Sequence, residues 1–199
     1  MADHYFTTPT GPEQRREVTA TVWGRELTWQ TASGVFSQDG LDHATAVLLK
    51  HVEPRDDSTT VLDLGCGWGP VACALASRLP EAQVWAVDVN ERALALTQDN
   101  ADRLALTVHA APPEAVPDDL RFDEIWSNPP IRVGKDALHD LLLHWLPRLS
   151  EEGVARLVVG KNLGADSLQR WLTARGWPTE RTASAKGFRV LTVRRAGSA

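Results

Sequence analysis

Short apolar runs recur along the chain from about residue 59, and the segments between them have the spacing of helices. Runs of this length, flanked by glycine, proline and polar residues, are typical of strands buried in a sheet. The strands predicted in this way are 59–64, 84–88, 106–110, 122–130 and 154–159.

Helices are predicted between these strands. Segment 70–79 opens with a proline, which suits the first turn of a helix, and 91–104 is a second helical segment. A further helix near 167–175 is predicted to be capped by Asp166 or Ser167 and stopped by Gly176. One more helix carries its apolar residues on a single face, at Leu138, Leu141, Leu142, Trp145 and Leu146.

Both ends of the chain depart from this alternation. Apolar and polar residues alternate over 18–22, which predicts a β-hairpin over 17–31 with Gly24-Arg25 as its two-residue turn. A helix over 41–51 follows the hairpin. At the other end, 187–196 predicts a strand paired with an earlier one at 178–184.

The order of these elements predicts an α/β fold, because strands separated by helices form right-handed crossovers in a parallel sheet. We predict a doubly wound, mostly parallel seven-stranded sheet with a C-terminal antiparallel strand and a short N-terminal extension. Residues 1–58 form that hairpin and helix extension, and 59–199 form the core of one structural domain. Ligands of such sheets bind beyond the carboxyl ends of the strands, so motifs that follow strands are the candidates for function.

The composition is that of a soluble globular protein: of 199 residues, 43% are hydrophobic and 24% are charged. No apolar run is long enough to span a membrane, and the N-terminal residues lack the pattern of a secretory signal, so we expect a cytoplasmic protein with no membrane partner. Two cysteines and six scattered histidines do not suggest a disulfide framework or a metal site.

Charge is distributed unevenly. The formal net charge is −5, made up of −11 over residues 1–147 and +6 over 148–199. The overall value argues against a protein that coats nucleic acid by bulk charge. The basic C-terminal segment is either a solvated face or a polyanion-binding surface.

A glycine-rich loop follows the first core strand. Its sequence, VLDLGCGWG, places Asp63 just before Gly65, Gly67 and Gly69, and a helix follows. Alternate glycines let a ligand lie against the backbone. The spacing differs from the dinucleotide fingerprint and from the phosphate-binding loop of nucleotide hydrolases. A carboxylate here would repel a pyrophosphate but suits a ligand that carries an amino group and a sulfonium charge.

An acidic residue, Asp88, ends the next strand. At that place a carboxylate can accept both hydroxyls of a ribose. With the glycine loop, it makes the chain resemble the class I S-adenosylmethionine-dependent methyltransferases, which implies a Rossmann-like sheet and S-adenosylmethionine as cofactor. The residues that the resemblance assigns to the cofactor are Asp63, Gly65, Cys66, Gly67, Gly69, Asp88, Val89 and Ser127.

An Asn-Pro-Pro element, Asn128, Pro129 and Pro130, follows the fourth core strand. The lone pair of an exocyclic amine on a base is delocalised into the ring, so a catalyst must free it and aim it at the methyl group. The side-chain carbonyl of Asn128 and the backbone carbonyl of Pro129 are two acceptors for the amine hydrogens. The prolines hold the backbone rigid. These three residues are therefore the predicted catalytic set.

This element narrows the resemblance to the small-domain type of methyltransferase. The string NPPIRVGK is similar to single-domain bacterial relatives of the small-subunit (16S) ribosomal RNA guanine-N2 methyltransferases, and so is the upstream string GVFSQDGLD over 34–42. The resemblance implies N2 methylation of a guanine in ribosomal RNA, with RNA as the partner. The target base would have to be unpaired or flipped out.

Residues near the Asn-Pro-Pro element are the candidates for contact with the substrate. The predicted substrate-binding residues are Phe36, Ser37, Ile131, Arg132 and Lys135. Weaker candidates for phosphate contact are Lys161, Lys186, Arg189, Arg194 and Arg195. Phe36 and Trp126 are candidates for stacking on the base, with core packing as the alternative for each.

Other functions remain open on the sequence alone. The acceptor of the methyl group could instead be a glutamine amide in a protein or an adenine amine. The chain could also be a non-catalytic module that binds the cofactor and assists a partner. A pyrimidine carbon-5 methyltransferase is disfavoured because it needs a cysteine nucleophile, whereas Cys66 and Cys73 lie on the cofactor side. A nicotinamide dehydrogenase ranks last. The oligomeric state is not predicted.

Overall fold

A computed structural model describes residues 14–130, 134–195 and 197. Within them the strands are β1 (Arg15–Val22), β2 (Arg25–Ala32), β3 (Thr60–Leu64), β4 (Gln83–Val87), β5 (His109–Ala111), β6 (Phe122–Ser127), β7 (Leu149–Gly160), β8 (Thr179–Ala185) and β9 (Phe188–Arg194). The α-helices are α1 (His43–His51), α2 (Pro70–Arg78), α3 (Glu91–Arg103), α4 (Lys135–Trp145) and α5 (Ala165–Ala174). None of these helices is long and apolar enough to cross a membrane.

Seven strands form one sheet in the order β5-β4-β3-β6-β7-β9-β8. The pairs β5-β4, β4-β3, β3-β6 and β6-β7 are parallel, and β9 is antiparallel to both of its neighbours. The predicted fold class is therefore confirmed. The chain moves outward from β3 through β4 to β5 and then returns to β6 on the other side of β3, so the switch in strand order lies between β3 and β6, where ligands bind in such folds.

Two apolar layers cover the sheet. The helices α1, α2 and α3 pack on one face, together with the β1-β2 hairpin, and α4 and α5 pack on the other. Trp29 of the hairpin is fully buried and makes an edge-to-face contact with Trp68 at 5.8 Å between ring centroids. The hairpin thus shares a core with the helices that flank the glycine loop.

A buried amide also ties the hairpin to the core. Asn100 in α3 accepts a hydrogen bond from the backbone N–H of Gln30 at 2.6 Å, and it donates to the carbonyls of Gln30 at 2.7 Å and Trp68 at 2.8 Å. The Asn100 side chain lies where water is excluded, so losing these bonds would leave buried polar groups unpaired. The N-terminal extension is held against the backbone that leads into α2.

Two local predictions are wrong. The hairpin turn consists of Trp23 and Gly24, since Val22 pairs with Arg25, and both turn residues have positive φ (47° and 77°), as a type I′ turn requires. The helix α5 begins after Gly164 rather than being capped by Asp166 or Ser167. Asp166 is instead paired with two arginines, Arg181 at 3.1 Å and Arg189 at 2.5 Å.

Candidate functional site

The carboxyl ends of β3, β4 and β6 bring the predicted motifs to one edge of the sheet. A cleft at this edge is lined by residues of the glycine loop, of the Asn-Pro-Pro element and of the loop before α1. Its lining includes Phe36, Ser37, Asp42, Thr45, Asp63, Gly65, Cys66, Gly67, Trp68, Pro70, Val71 and Asn128. Segments that are far apart in sequence therefore meet at the switch point, as the strand order predicts.

Space for a ligand lies directly over the glycine loop. Gly65 and Gly67 have positive φ (77° and 57°), and a Cβ built on either would meet no atom within 4 Å. Gly69 differs, because a Cβ there would lie 2.8 Å from the hydroxyl of Thr97. The first two glycines thus keep the backbone open, and the third lets α2 pack closely against α3.

Alanine substitutions should separate these two roles. Gly69→Ala should lower the free energy of unfolding by about 2–4 kcal/mol, because a left-handed backbone and a clash with Thr97 add up. The matched variant Gly67→Ala should cost only about 1–2 kcal/mol for its backbone, yet it should abolish cofactor binding. Urea unfolding and calorimetric titration measure the two effects. Equal stability losses for both variants would contradict this division of roles.

Asp63 is a buried carboxylate at the base of the cleft. It is 2% exposed, and its Oδ2 accepts a hydrogen bond at 2.9 Å from the backbone N–H of Ala72 in the first turn of α2. Burial raises its pKa to about 7, opposed by the Ala72 hydrogen bond, while the nearby charge of Asp88 raises it further. A buried acid poised at neutral pH favours a cationic ligand, because a positive charge would stabilise its ionised form.

Asp88 lies just beyond β4, beside the glycine loop. Its two carboxylate oxygens accept hydrogen bonds from the backbone N–H groups of Gly67 at 3.0 Å and Asn90 at 2.9 Å. Burial raises its pKa, although these bonds oppose the shift. Each carboxylate oxygen has a second lone pair, so both can still accept a ligand hydroxyl. Next to it, the side chain of Val89 is 57% exposed and offers an apolar surface to a flat ring.

Asn128 is held by two residues of the α1 start. Its side-chain nitrogen donates to Asp42 Oδ2 at 2.9 Å and to Thr45 Oγ1 at 3.1 Å. Asp42 Oδ2 also caps α1, accepting from the backbone N–H groups of Ala44 and Thr45. Both amide hydrogens of Asn128 are thereby used, and its carbonyl oxygen is the atom left to accept from a substrate.

Several other predicted residues shape the backbone around the cleft. Ser127 is fully buried, and its hydroxyl donates to the carbonyl of Leu64 at 2.7 Å, which joins β6 to β3. Ser37 donates to the carbonyl of Gly40 at 2.6 Å and so shapes its own loop. Pro129 is buried and Pro130 is partly buried. These side chains shape the backbone of the cleft.

The aromatic and thiol candidates differ in whether they are exposed at the cleft or buried in the core. Phe36 lines the cleft and is 47% exposed, whereas Trp126 is fully buried against Trp23 and is not a platform for a base. Cys66 is buried beside Thr97, and burial raises the pKa of its thiol well above the usual value. A thiol held neutral in this way is a packing residue and a poor nucleophile.

The basic candidates do not all lie near the cleft. Lys135 begins α4, while Ile131 and Arg132 lie outside the described residues. Strand β9 runs antiparallel to β7, so its last residue, Arg194, lies at the opposite edge of the sheet. There Arg194 pairs with Glu180, and the next residue, Arg195, donates to the carbonyl of Leu149. The structure therefore does not bring Arg194 and Arg195 to the cleft that contains Asn128.

No cluster of three or more potential metal ligands occurs among the residues that the structure describes. The groups around the cleft fit S-adenosylmethionine instead. Asp63 lies where a cationic amine and sulfonium would stabilise its charge, and the glycine loop leaves its backbone open. Asp88 and Val89 offer a hydroxyl acceptor and an apolar surface beside that loop.

Sequence reasoning missed the partners of Asn128. Asp42 falls within the string GVFSQDGLD without an assigned role, and Thr45 lies in the predicted helix with no signal of its own. The signal that is present is a capping pattern, since Asp before a helix commonly accepts from its first N–H groups. The second role of Asp42 depends on a contact across 86 residues of sequence, which no local pattern reveals.

Comparison with known proteins identifies relatives over most of the chain. The model of the methyltransferase small domain family matches residues 26–192. An uncharacterized protein of Bacillus subtilis, YbxB, is 30% identical over 172 residues, which cover 84% of this chain and 86% of that protein. The ribosomal RNA small subunit methyltransferase C of Erwinia tasmaniensis is 37% identical over 141 residues, which cover 67% of this chain but 40% of that protein.

Solved structures show the same architecture. The 16S rRNA N2 methyltransferase RsmC of T. thermophilus, in complex with AdoMet and guanosine, matches 94% of this chain with a TM-score of 0.77 and 27% identity. The match covers 52% of that longer protein. The mitomycin 7-O-methyltransferase MmcR matches 76% of this chain with a TM-score of 0.64 at 14% identity, which shows a shared fold alone.

Proposed function

Because the chain belongs to the methyltransferase small domain family of S-adenosylmethionine-dependent enzymes, we propose that it methylates the exocyclic N2 amine of a guanine in small-subunit ribosomal RNA. The observation that carries this proposal is the fixed orientation of Asn128, whose amide nitrogen is bound by Asp42 and Thr45. The relatives named for ribosomal RNA methylation, and the related structure with bound guanosine, support the choice of substrate.

The cofactor site is assigned to the glycine loop and the two acids. Asp63 would pair with the amino group of the methionine part, and Asp88 would accept the ribose hydroxyls. Gly65 and Gly67 would let the backbone approach the ligand, with Cys66 between them, and Val89 would pack against the adenine. When bound, the cofactor supplies an electrophilic methyl group on a sulfonium centre.

The chain's own contribution to the reaction is orientation and charge stabilisation. Asn128 Oδ1 and the backbone carbonyl of Pro129 each accept one N–H of the guanine amine, which frees its lone pair and favours a tetrahedral nitrogen. As the new N–C bond forms, the bond from the methyl carbon to the sulfonium sulfur would break and leave a neutral thioether. Positive charge develops on the nitrogen, and these two dipoles stabilise it. The proton is released after alkylation has made the nitrogen acidic, so no strong base is needed. Most of the acceleration comes from in-line placement.

The loop that precedes α1 would complete the substrate side. Phe36 is exposed at the cleft and can contact the face of the target base. Asn90 donates to the carbonyl of Gly34 at 3.2 Å, and Arg92 donates to the carbonyl of Ser33 at 2.9 Å. Helix α3, which begins beside Asp88, therefore anchors this loop, so the cofactor and substrate sides share a support.

The pKa of Asp63 predicts a pH-dependent affinity for the cofactor. With its pKa raised to about 7, Asp63 is partly protonated in the cofactor-free protein at pH 6–7. A cationic ligand favours the ionised form, so binding releases a proton and affinity rises with pH, approaching tenfold per pH unit below the pKa. Titration calorimetry over about pH 6.0–7.5, below the range where the ligand's own α-ammonium ionises, measures this change. An affinity for the cofactor that does not change with pH would contradict the pairing of Asp63 with a cationic group.

Three neighbouring groups must be separated from this effect. Asp88 and the thiols of Cys66 and Cys73 interact with the charge of Asp63, and burial raises the pKa of each. Both thiols stay neutral over this pH range. An Asp88→Asn variant should bind the cofactor more weakly and still release one proton on binding, but the rise in affinity should move to lower pH, because the charge of Asp88 no longer raises the pKa of Asp63. A proton release that persists in this variant assigns the proton to Asp63.

Transfer of a labelled methyl group tests the function. Purified protein, labelled S-adenosylmethionine and small ribosomal subunits or their RNA should yield label in the RNA fraction, whereas Asn128→Ala should yield none above background. Label in the protein fraction would identify a glutamine amide as the acceptor. Label on adenine in the RNA fraction would identify the adenine amine as the acceptor. Cofactor binding without transfer to any fraction would favour a non-catalytic module.

A further inference from the structure

Lysine is rare in this chain, and three of its lysines lie at one edge of the sheet. The chain has four lysines among its 199 residues: Lys50, Lys135, Lys161 and Lys186. Lys135 is the first residue of α4, just after the Asn-Pro-Pro element. Lys161 directly follows β7, and Lys186 lies in the turn between β8 and β9. Three of the four thus lie where a strand or helix meets the edge of the sheet that carries Asn128.

The pairing of the strands places two of these lysines side by side. Gly160, the last residue of β7, pairs with Phe188, the first residue of β9. The backbone N–H of Lys161 donates to the carbonyl of Gly187 at 2.8 Å. Because β7 is the neighbour of β6, which leads to Asn128, Lys161 and Lys186 continue the edge of the cleft outward.

The charges of these lysines are available to a ligand. All three side chains are exposed, and in the described part of the chain every ion pair of a lysine or arginine with an acid uses an arginine. The nearest acid along the chain is Asp136 for Lys135, Asp166 for Lys161 and Glu180 for Lys186. Glu180 is paired with Arg194. Asp166 is paired with Arg181 and Arg189, so it does not offset the charge of these lysines.

The turn that carries Lys186 has an unfavourable backbone for lysine. Lys186 has a φ of 49°, in the left-handed region where glycine or asparagine is preferred. Gly187 follows with a φ of 81°, so the two residues form a turn of the type that fits a hairpin. A lysine at the first position of such a turn is less stable than a glycine would be.

We propose that Lys135, Lys161 and Lys186, here called the lysine edge, bind the phosphodiester backbone of the RNA strand beside the target guanine. The proposal rests on the proposed function and adds to it a binding surface that runs from Asn128 across the end of β7 to the β8-β9 turn. Phosphate contacts of this kind fix the position of a strand without reading its sequence. The side chain of Leu163 is 55% exposed on the same edge and offers an apolar contact to sugar or base.

Salt-dependent binding of RNA tests the lysine edge. We expect the triple variant of Lys135→Gln, Lys161→Gln and Lys186→Gln to bind a small-subunit RNA fragment on the order of tenfold or more weakly at low salt. The slope of log affinity against log salt should fall by about 2, since each contact with a single strand contributes about 0.7. Affinity for S-adenosylhomocysteine should stay at the wild-type value, as measured by calorimetry.

Two further variants keep the test decisive. The control variant Lys50→Gln replaces the one lysine outside the lysine edge. Lys50 lies in the last turn of α1, at the other end of the helix from the turn that contacts Asn128, so this variant should leave the salt slope unchanged. Lys186→Gly should make the hairpin more stable to urea while weakening RNA binding, a combination that a purely structural lysine would not produce.

The outcomes separate the two proposals. If the wild-type protein methylates RNA and the triple variant keeps the wild-type salt slope, the lysine edge does not bind the RNA backbone, and the proposed function stands. If the triple variant loses affinity for an acidic protein but not for RNA, the lysine edge binds protein and does not bind the RNA backbone. If the wild-type protein methylates no RNA, the proposed function itself fails.

Discussion

Replacing Asn128 with alanine should lower methyl transfer by about 10²–10³-fold while affinity for S-adenosylmethionine stays near the wild-type value. The reason is that Asn128 Oδ1 acts on the charge that develops on the substrate nitrogen, whereas the cofactor contacts come from other residues. Single-turnover rates measured with labelled cofactor and saturating RNA report the loss. A variant that keeps more than about a third of the rate would remove Asn128 from the mechanism.

Variants at Asp42 refine this prediction. In Asp42→Ser the shorter side chain still caps α1 but no longer reaches the Asn128 amide, so the amide can rotate and present its N–H groups to the substrate. We expect a loss of about tenfold or more in the turnover rate with little change in thermal stability. Asp42→Asn keeps an acceptor oxygen at this place and should restore most of the rate. Equal losses in both variants would indicate a structural role only.

Replacing Asp63 with asparagine should abolish cofactor binding and, at the same time, stabilise the cofactor-free protein. Burial raises the pKa of Asp63 from 3.8 to about 7, so the folded state holds this charge at a cost that is fully present above about pH 7 and absent below about pH 4. The amide of an Asp63→Asn variant would keep an acceptor for the N–H of Ala72 without the charge. We expect a gain of about 2–4 kcal/mol at pH 8 and none at pH 4.

An acid on the opposite edge of the sheet provides the control for Asp63→Asn. Burial acts to raise the pKa of Asp123, but hydrogen bonds from Thr59, Ser150 and Thr60 outweigh it and lower the pKa. Asp123→Asn should therefore destabilise the protein at pH 8, and the loss should shrink as pH falls below the usual carboxyl range. Urea unfolding at pH 8 and pH 4 measures the change for Asp63→Asn, and a further measurement at about pH 3, below the usual carboxyl pKa, measures the change for Asp123→Asn. Destabilisation by Asp63→Asn at pH 8 would contradict its assignment as a strained functional acid.

Elements that depend on local chemistry are predictable from the sequence. The strand, glycine loop and helix over 60–78 follow from an apolar run, positive-φ glycines and a proline in the first turn, and the structure has each of them. The hairpin turn lies one residue earlier than predicted, because Trp23 adopts a positive φ that its residue type does not suggest. The predicted cap of α5 is wrong because two distant arginines pair with Asp166.

Contacts between distant segments account for what the sequence does not reveal. The carboxyl ends of parallel strands explain why Asp63, Asp88 and Asn128 lie near one another, and that part is predictable. The anchoring of Asn128 by Asp42 depends on how α1 docks against β7, which the packing of the whole core determines. The division of the basic residues between two edges likewise depends on the direction of β9, which reverses their order in space.

Mass spectrometry of nucleosides from small-subunit ribosomal RNA can decide whether this protein methylates a guanine through Asn128. It compares cells that lack this protein with cells that express either the wild-type chain or Asn128→Ala. We predict one N2-methylguanosine that is absent without the protein, restored by the wild-type chain and not restored by Asn128→Ala. Unchanged guanosine modification in all three strains, or restoration by Asn128→Ala, would contradict this prediction.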